Sequence, residues 1–145
     1  MDYNKGKVMN DLLTGKKKVI RKGDLKFLPV SEKRIQMECV AEFRRLYPDL
    51  AAKGLLFRVP NELAGKRGGM QPLDATGIVQ GVSDLILLVP RKGYGALCIE
   101  MKTPTGEQSP QQKRWQKAVT EVGQKYVVCR TIEDFVREVN RYLKG

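Results

Sequence analysis

Residues 85–101 leave this chain few options. Leu85–Val89 and Ala96–Met101 are short apolar runs on either side of Arg91-Lys92-Gly93. Two such runs around a turn signal read as an antiparallel hairpin. With Lys92 at the centre, paired positions sum to 184: Leu85 faces Ile99, Ile86 faces Cys98, Val89 faces Gly95 and Asp84 faces Glu100. Directly opposed residues hold their Cβ atoms about 4.5–5.5 Å apart. Two carboxylates placed so repel each other, and a bare sheet gains nothing from them. A divalent cation between them reverses the sign. Glu100 and Lys102 are two residues apart and project from one strand face. Two carboxylates and one ammonium then meet at one end of the hairpin. This register comes from symmetry alone, and a slip of one residue breaks it.

The rest of the chain supplies elements around that hairpin. A helix starts after Ser31, a candidate N-cap. Its apolar face is Ile35, Cys39, Phe43 and Leu46, and Pro48 ends it. Leu55–Val59 reads as a short strand closed by Pro60, and residues 61–83 as a Gly-rich loop. Ser109-Pro110 opens a second helix, since Pro suits the first helical position. Its apolar face is read as Trp115, Ala118, Val119 and Val122. Tyr126–Cys129 is a strand. Thr131 caps a last helix with Ile132, Phe135, Val136, Val139, Tyr142 and Leu143 on one face. The order helix, strand, strand, strand, helix, strand, helix predicts an α/β fold around a small mixed sheet. The 145 residues make one domain, read as a folded part at 31–145 behind a basic arm at 1–30.

A third acid joins the constellation by helical geometry. At about 100° per residue, the stripe Ile35, Cys39, Phe43 and Leu46 lies within roughly 60° of Glu32, whereas Glu38 points about 120° away. Gln36 also turns with the stripe. A carboxylate on a core-facing stripe is costly unless paired or metal-bound. Glu32 also lies in the first helical turn, where the helix dipole alone favours an acid. Both readings stand at this point.

Composition narrows the chemistry. Lys and Arg number 27 against 16 Asp and Glu, a net charge of +11. That excess favours a polyanionic partner, nucleic acid first. The first 34 residues carry ten of the basic side chains, including Lys16, Lys17 and Lys18. They read as an arm along phosphates or as a solvated tail. There is no His, which removes Ser-His-Asp and Cys-His catalysis, His-ligated zinc and imidazole switching. Cys39, Cys98 and Cys129 are odd in number and lie far apart. They read as buried reduced thiols rather than a disulfide or zinc framework. No apolar run reaches membrane-spanning or signal-peptide length, so the expectation is an intracellular, cytoplasmic protein with no membrane partner.

These residues form a recognisable pattern. Gly81-Val82-Ser83-Asp84-Leu85, then Ile99-Glu100-Met101-Lys102-Thr103-Pro104, then Gly106, Ser109, Gln112 and Trp115 resemble the VRR-NUC domain, a virus-type replication-repair nuclease domain of the PD-(D/E)XK superfamily. The resemblance runs from about residue 31 onward. Phe57-Arg58-Val59-Pro60-Asn61 with Lys66 and Arg67 resembles its stand-alone phage-type members. Ser83 departs from a position where the family more often has Pro. The resemblance implies a restriction-endonuclease-like core and a Mg²⁺- or Mn²⁺-dependent DNA endonuclease. It further implies a structure-specific role on branched or Holliday-junction DNA in phage or mobile-element repair, and a homodimer. It places the cation on Asp84, Glu100, the Met101 backbone carbonyl and Glu32. Lys102 would handle the attacking water and the scissile phosphate, and Gln112 would join the catalytic set. Gln112 also completes the capping-box pattern Ser109-x-x-Gln112, and both roles can hold. Asn61, Lys66 and Arg67 lie in the Gly-rich loop as candidate phosphate contacts or as plain solvated residues.

Two rival readings remain. One is a catalytically silent nucleic-acid-binding module of the same fold, which the intact Asp84, Glu100 and Lys102 set disfavours. The other is a sequence-specific restriction-type nuclease, for which no separate recognition domain is visible.

Overall fold

The turn that organises the sheet is a two-residue one. Lys92 and Gly93 both have positive φ, 51° and 84°, the pairing that matches hairpin twist. Arg91 and Tyr94 close it with two backbone hydrogen bonds of 3.0 and 2.8 Å. The computed structural model describes residues 30–60 and 75–144.

Within them the order is α1 (Glu32–Leu46), α2 (Pro48–Ala52), β1 (Leu56–Arg58), β2 (Leu85–Leu87), β3 (Leu97–Met101), α3 (Pro110–Glu121), β4 (Lys125–Cys129) and α4 (Ile132–Leu143). The sheet runs β1-β2-β3-β4. Its first two pairings are antiparallel and β3–β4 is parallel, so α3 is the crossover that parallel strands require. The mixed α/β sheet flanked by helices is the expected fold.

The register of β2 and β3 is the expected one: Leu85 pairs with Ile99, Ile86 with Cys98 and Leu87 with Leu97. The turn's own closing pair, Arg91 and Tyr94, sums to 185. Three residues (Leu88, Val89, Pro90) therefore sit opposite two (Gly95, Ala96), an extra residue on one strand of the kind a bulge accommodates. The expected pairing of Val89 with Gly95 is replaced by this irregularity. Pro90 has no N–H to give a ladder, which suits it to that position.

Alternation along the strands sorts the side chains. Leu85, Leu87, Leu97, Ile99 and Met101 join Ile35, Cys39, Phe43, Phe135, Val139 and Tyr142 in one core. There α1 and α4 pack on each other and on β3 and β4. Cys98 and Glu100 point to the opposite side, where α3 packs on β4. All five β3 residues are buried. Tyr142 closes the hairpin end by donating its hydroxyl to Val89 O at 2.6 Å.

The caps follow the sequence. Ser31 Oγ accepts from Arg34 N–H at 3.1 Å, and Thr131 Oγ1 accepts from Asp134 N–H at 3.0 Å. All three cysteines are free and buried.

Two expectations need correction. Pro48 follows the end of α1 but also starts α2 at its first position, where a missing N–H costs nothing. On α3, Ala118 is exposed and Val122, the C-cap, is 73% exposed. The half-buried face is instead Gln112, Trp115, Gln116 and Val119. The wheel assumed an apolar seam, whereas α3 turns amides toward the sheet. Among the described residues no helix is long and apolar enough to cross a membrane.

Candidate active site

Asp84 sits where β1, β2 and β3 meet. Its carbonyl accepts from Val59 N–H at 2.9 Å. Its Oδ2 accepts from Met101 N–H at 2.7 Å, across the hairpin. Ser83 just before it is fully buried and donates its hydroxyl to Leu85 O at 3.1 Å. A hydroxyl thus ties the backbone where a proline ring would stiffen it.

Glu100 is wholly buried. Burial first, then the adjacent Asp84 carboxylate, push its carboxyl up to about 9. The Lys102 ammonium and the Tyr126 hydroxyl act the other way without matching them. The repulsion expected from the hairpin register is therefore present. Glu100 Oε1 accepts from Gln112 Nε2 at 2.8 Å, and Glu100 Oε2 from the Tyr126 hydroxyl at 3.3 Å.

Lys102 follows on the same strand face and is buried to 7% exposure. Its N–H donates to Cys129 O at 3.0 Å, extending the parallel ladder by one bond. Its Nζ lies 3.6 Å from Glu32 Oε1 and 3.9 Å from Glu100 Oε1. The helix wheel separated Glu32 from Glu38, and the structure separates them likewise. Glu32 reaches Lys102, while Glu38 pairs with Arg34 on its own helix at 3.4 Å. Glu32 meets the ammonium rather than a carboxylate cluster. Among the described residues no three of His, Cys, Asp and Glu converge.

Gln112 both caps α3 and contacts Glu100. Its Oε1 accepts from Ser109 N–H at 2.8 Å while Ser109 Oγ accepts from Gln112 N–H at 3.2 Å, a complete capping box. With Oε1 committed to the cap, the amide's NH₂ faces Glu100. Gly81 lets the preceding loop come close enough. At φ +82°, a Cβ there would lie 2.4 Å from the carbonyl carbon and oxygen of Gln111.

Three contributors carried no local sequence signal. The Tyr126 hydroxyl touches Glu100 because Tyr126 pairs with Cys98 across the parallel ladder, one step from Glu100 on the same face. Gln108 Nε2 donates to the Tyr126 oxygen at 3.1 Å and to Gln116 Oε1 at 2.9 Å. The Arg130 guanidinium donates to Thr103 O at 2.8 Å and Gly106 O at 2.6 Å, bracing the loop that follows Lys102. Only knowledge of the β3–β4 register exposes them. Trp115 packs its ring against Tyr126, with centroids 6.1 Å apart, and is half-buried. Asn61, Lys66, Arg67, Lys16, Lys17 and Lys18 lie outside the described residues.

The donor chemistry fits a hard divalent cation. Two carboxylates are held together at a site where one is fully desolvated, and the set is all oxygen. Mg²⁺ typically takes one or two carboxylates and keeps several waters. A cation would relieve the strain that raises the Glu100 carboxyl.

The family model of the VRR-NUC domain matches residues 30–132. Among solved structures, one described as a VRR_NUC domain protein superposes with a TM-score of 0.65 at 22% identity. That match covers 81% of this chain and 91% of the other, and at this identity it speaks to the fold. No match was found among curated proteins.

Proposed function

Since the chain belongs to the VRR-NUC family of nuclease-type domains, we propose that it is a divalent-metal-dependent endonuclease hydrolysing DNA phosphodiester bonds, with branched, junction-like DNA as its substrate. The observation that carries this reading is the convergence of Asp84, Glu100 and Lys102, with the buried Glu100 carboxyl forced up to about 9 beside Asp84.

Asp84, Glu100 and the Met101 backbone carbonyl are the oxygen donors that would hold Mg²⁺ or Mn²⁺. Such a cation supplies a water of lowered pKa and a polarised phosphoryl oxygen. The chain's own groups do the rest. Lys102 positions the attacking water and steadies the charge that develops on the scissile phosphate. Glu32 holds the Lys102 ammonium on the outer side, and its side chain is 45% exposed. Gln112 holds Glu100. Met101 N–H fixes Asp84.

The substrate side of the reading rests on charge. The chain carries +11, and Lys113 and Arg114, which directly follow Gln112, are both exposed. They add to the positive surface open to a polyanion. Backbone contacts of this kind supply affinity without sequence information, which suits recognition of DNA by shape. Two copies presenting two such sites would suit a four-way junction.

The test is cleavage of a labelled four-way junction and its matching linear duplex with Mg²⁺, with Mn²⁺ and with EDTA, beside Glu100→Ala. The expected result is metal-dependent cutting of the junction that the substitution abolishes. Equal cutting of both substrates keeps the nuclease and removes the junction preference. Tight DNA binding with no cutting under any metal overturns the proposal in favour of a silent binding module.

A further inference from the structure

The half-buried face between β4 and α3 carries a directed chain of hydrogen bonds that ends on Glu100. Gln108 Nε2 has two hydrogens. One goes to Gln116 Oε1 at 2.9 Å and the other to the Tyr126 oxygen at 3.1 Å. The phenol oxygen is thereby an acceptor from Gln108, and its single hydrogen is left for Glu100 Oε2 at 3.3 Å. Were the Gln108 amide reversed, its oxygen would face Gln116 Oε1 and take the phenol hydrogen. Glu100 Oε2 would then lose its donor. Orientation of one side amide thus decides what reaches a carboxylate two residues removed in contact.

The other carboxylate oxygen is treated the same way. Gln112 Nε2 donates to Glu100 Oε1 at 2.8 Å because Gln112 Oε1 is tied to the Ser109 N–H. A carboxylate offers about four lone-pair sites. One on each oxygen is taken from the α3 side, so the rest are left for whatever lies toward Asp84. Trp115 backs the arrangement, its ring packed on Tyr126.

We propose that Tyr126, oriented by Gln108, is a positioning residue that fixes Glu100 for cation binding. The inference rests on the reading of Asp84 and Glu100 as a metal site and goes beyond it by assigning the residues that tune that site. Tyr126 touches neither substrate nor cation; it acts through Glu100. Loss of such an outer hydrogen bond typically costs about 10–100-fold in metal affinity.

The experiment measures Mg²⁺ binding to the DNA-free protein by calorimetry, for wild type, Tyr126→Phe, Gln108→Met and Glu100→Gln. Cleavage is measured in parallel as a function of Mg²⁺ concentration. Tyr126→Phe keeps the ring and its packing on Trp115. The chain's single Trp therefore reports by its emission whether the fold around the site is kept. The expected result is a Mg²⁺ dissociation constant raised about 10–100-fold in Tyr126→Phe, and raised in the same direction by Gln108→Met. Half-saturating Mg²⁺ for cleavage rises equally, while the rate at saturating Mg²⁺ stays within a few-fold of wild type. Wild-type Mg²⁺ affinity in Tyr126→Phe, with Glu100→Gln deficient, overturns the positioning role and leaves the metal site standing. Equal Mg²⁺ binding by wild type and Glu100→Gln, or none by wild type, overturns the site and the inference together.

Discussion

Gln112 Nε2 donates to Glu100 Oε1 at 2.8 Å while the same amide's oxygen closes the capping box on Ser109. One side chain therefore caps a helix and holds the carboxyl group of the proposed metal site. Fold and site share this residue, so a substitution can separate the two functions only if it keeps one end of the amide.

Gln112→Glu is that substitution. It preserves an oxygen for Ser109 N–H and sets a third carboxyl against Glu100 where a donor stood. We expect α3 to stay capped, with thermal stability changed by under about 1 kcal/mol. Cleavage should fall about 100-fold or more, as for loss of a catalytically placed group. Circular dichroism melting and junction cleavage read the two effects apart. A variant that melts early with cleavage intact would reverse this assignment.

The raised Glu100 carboxyl makes a stability prediction for the metal-free chain. In the folded state it holds its proton up to about 9, whereas an unfolded Glu releases it near 4.3. The folded state then binds a proton that the unfolded state has lost, so stability falls as pH rises from the unfolded value toward 9. In EDTA, Glu100→Gln removes that penalty. Its unfolding free energy from urea titration should exceed wild type's at pH 8 by on the order of a few kcal/mol. At pH 4 the gap should nearly vanish. A gap of equal size at both pH values contradicts the burial of an ionisable group as its cause.

Gly81 is predicted to be irreplaceable for a steric reason. A Cβ at Gly81 would strike Gln111 C and O at 2.4 Å, whereas one at Gly77 meets nothing within 4 Å. Both have positive φ, 82° and 94°. Ala at either position pays a left-handed cost of about 1–2 kcal/mol. Gly81→Ala adds a backbone clash that moves the start of α3, and with it Gln112. It should cost at least about 1 kcal/mol more than Gly77→Ala and lower cleavage, while Gly77→Ala leaves cleavage unchanged. Equal melting temperatures for the two would refute the close approach.

How much of this was legible in the sequence depends on whether the information was local. The hairpin register was, because two apolar runs about a short turn pair most simply by symmetry about that turn. Even there, the centre of symmetry was assigned to Lys92, whereas the turn closes between Lys92 and Gly93. The extra residue in Leu88–Pro90 restores the pairing. Glu32 was legible as against Glu38 because helix phase is local. Tyr126 and Gln108 were not, because the contact of Tyr126 with Glu100, and of Gln108 with Tyr126, follows from the parallel register of β3 and β4. A crossover helix sets that register, and no residue spacing in the chain encodes it. The face of α3 was misread for a related reason. Its inward positions hold Gln112 and Gln116, which serve Glu100 and Gln108 rather than an apolar core.

Lys102 offers the sharpest separation between chemistry and structure. Its ammonium lies between Glu32 Oε1 at 3.6 Å and Glu100 Oε1 at 3.9 Å. Lys102→Met keeps the stem's apolar packing and removes the charge. Cleavage should drop about 100- to 10,000-fold, the range for a positioned proton-transfer or charge-stabilising group. The fold should survive, because one ammonium shared by two carboxylates is replaced by a side chain of similar length. Glu32→Gln should do less, about 10-fold, because Glu32 is half-exposed and water can take its place beside the ammonium. The two substitutions share one target, so their effects should not add: the double variant should cleave no more slowly than Lys102→Met alone. Full additivity in the measured rates would show that Glu32 acts independently of Lys102, on the cation or on the DNA, and would return it to the ligand set.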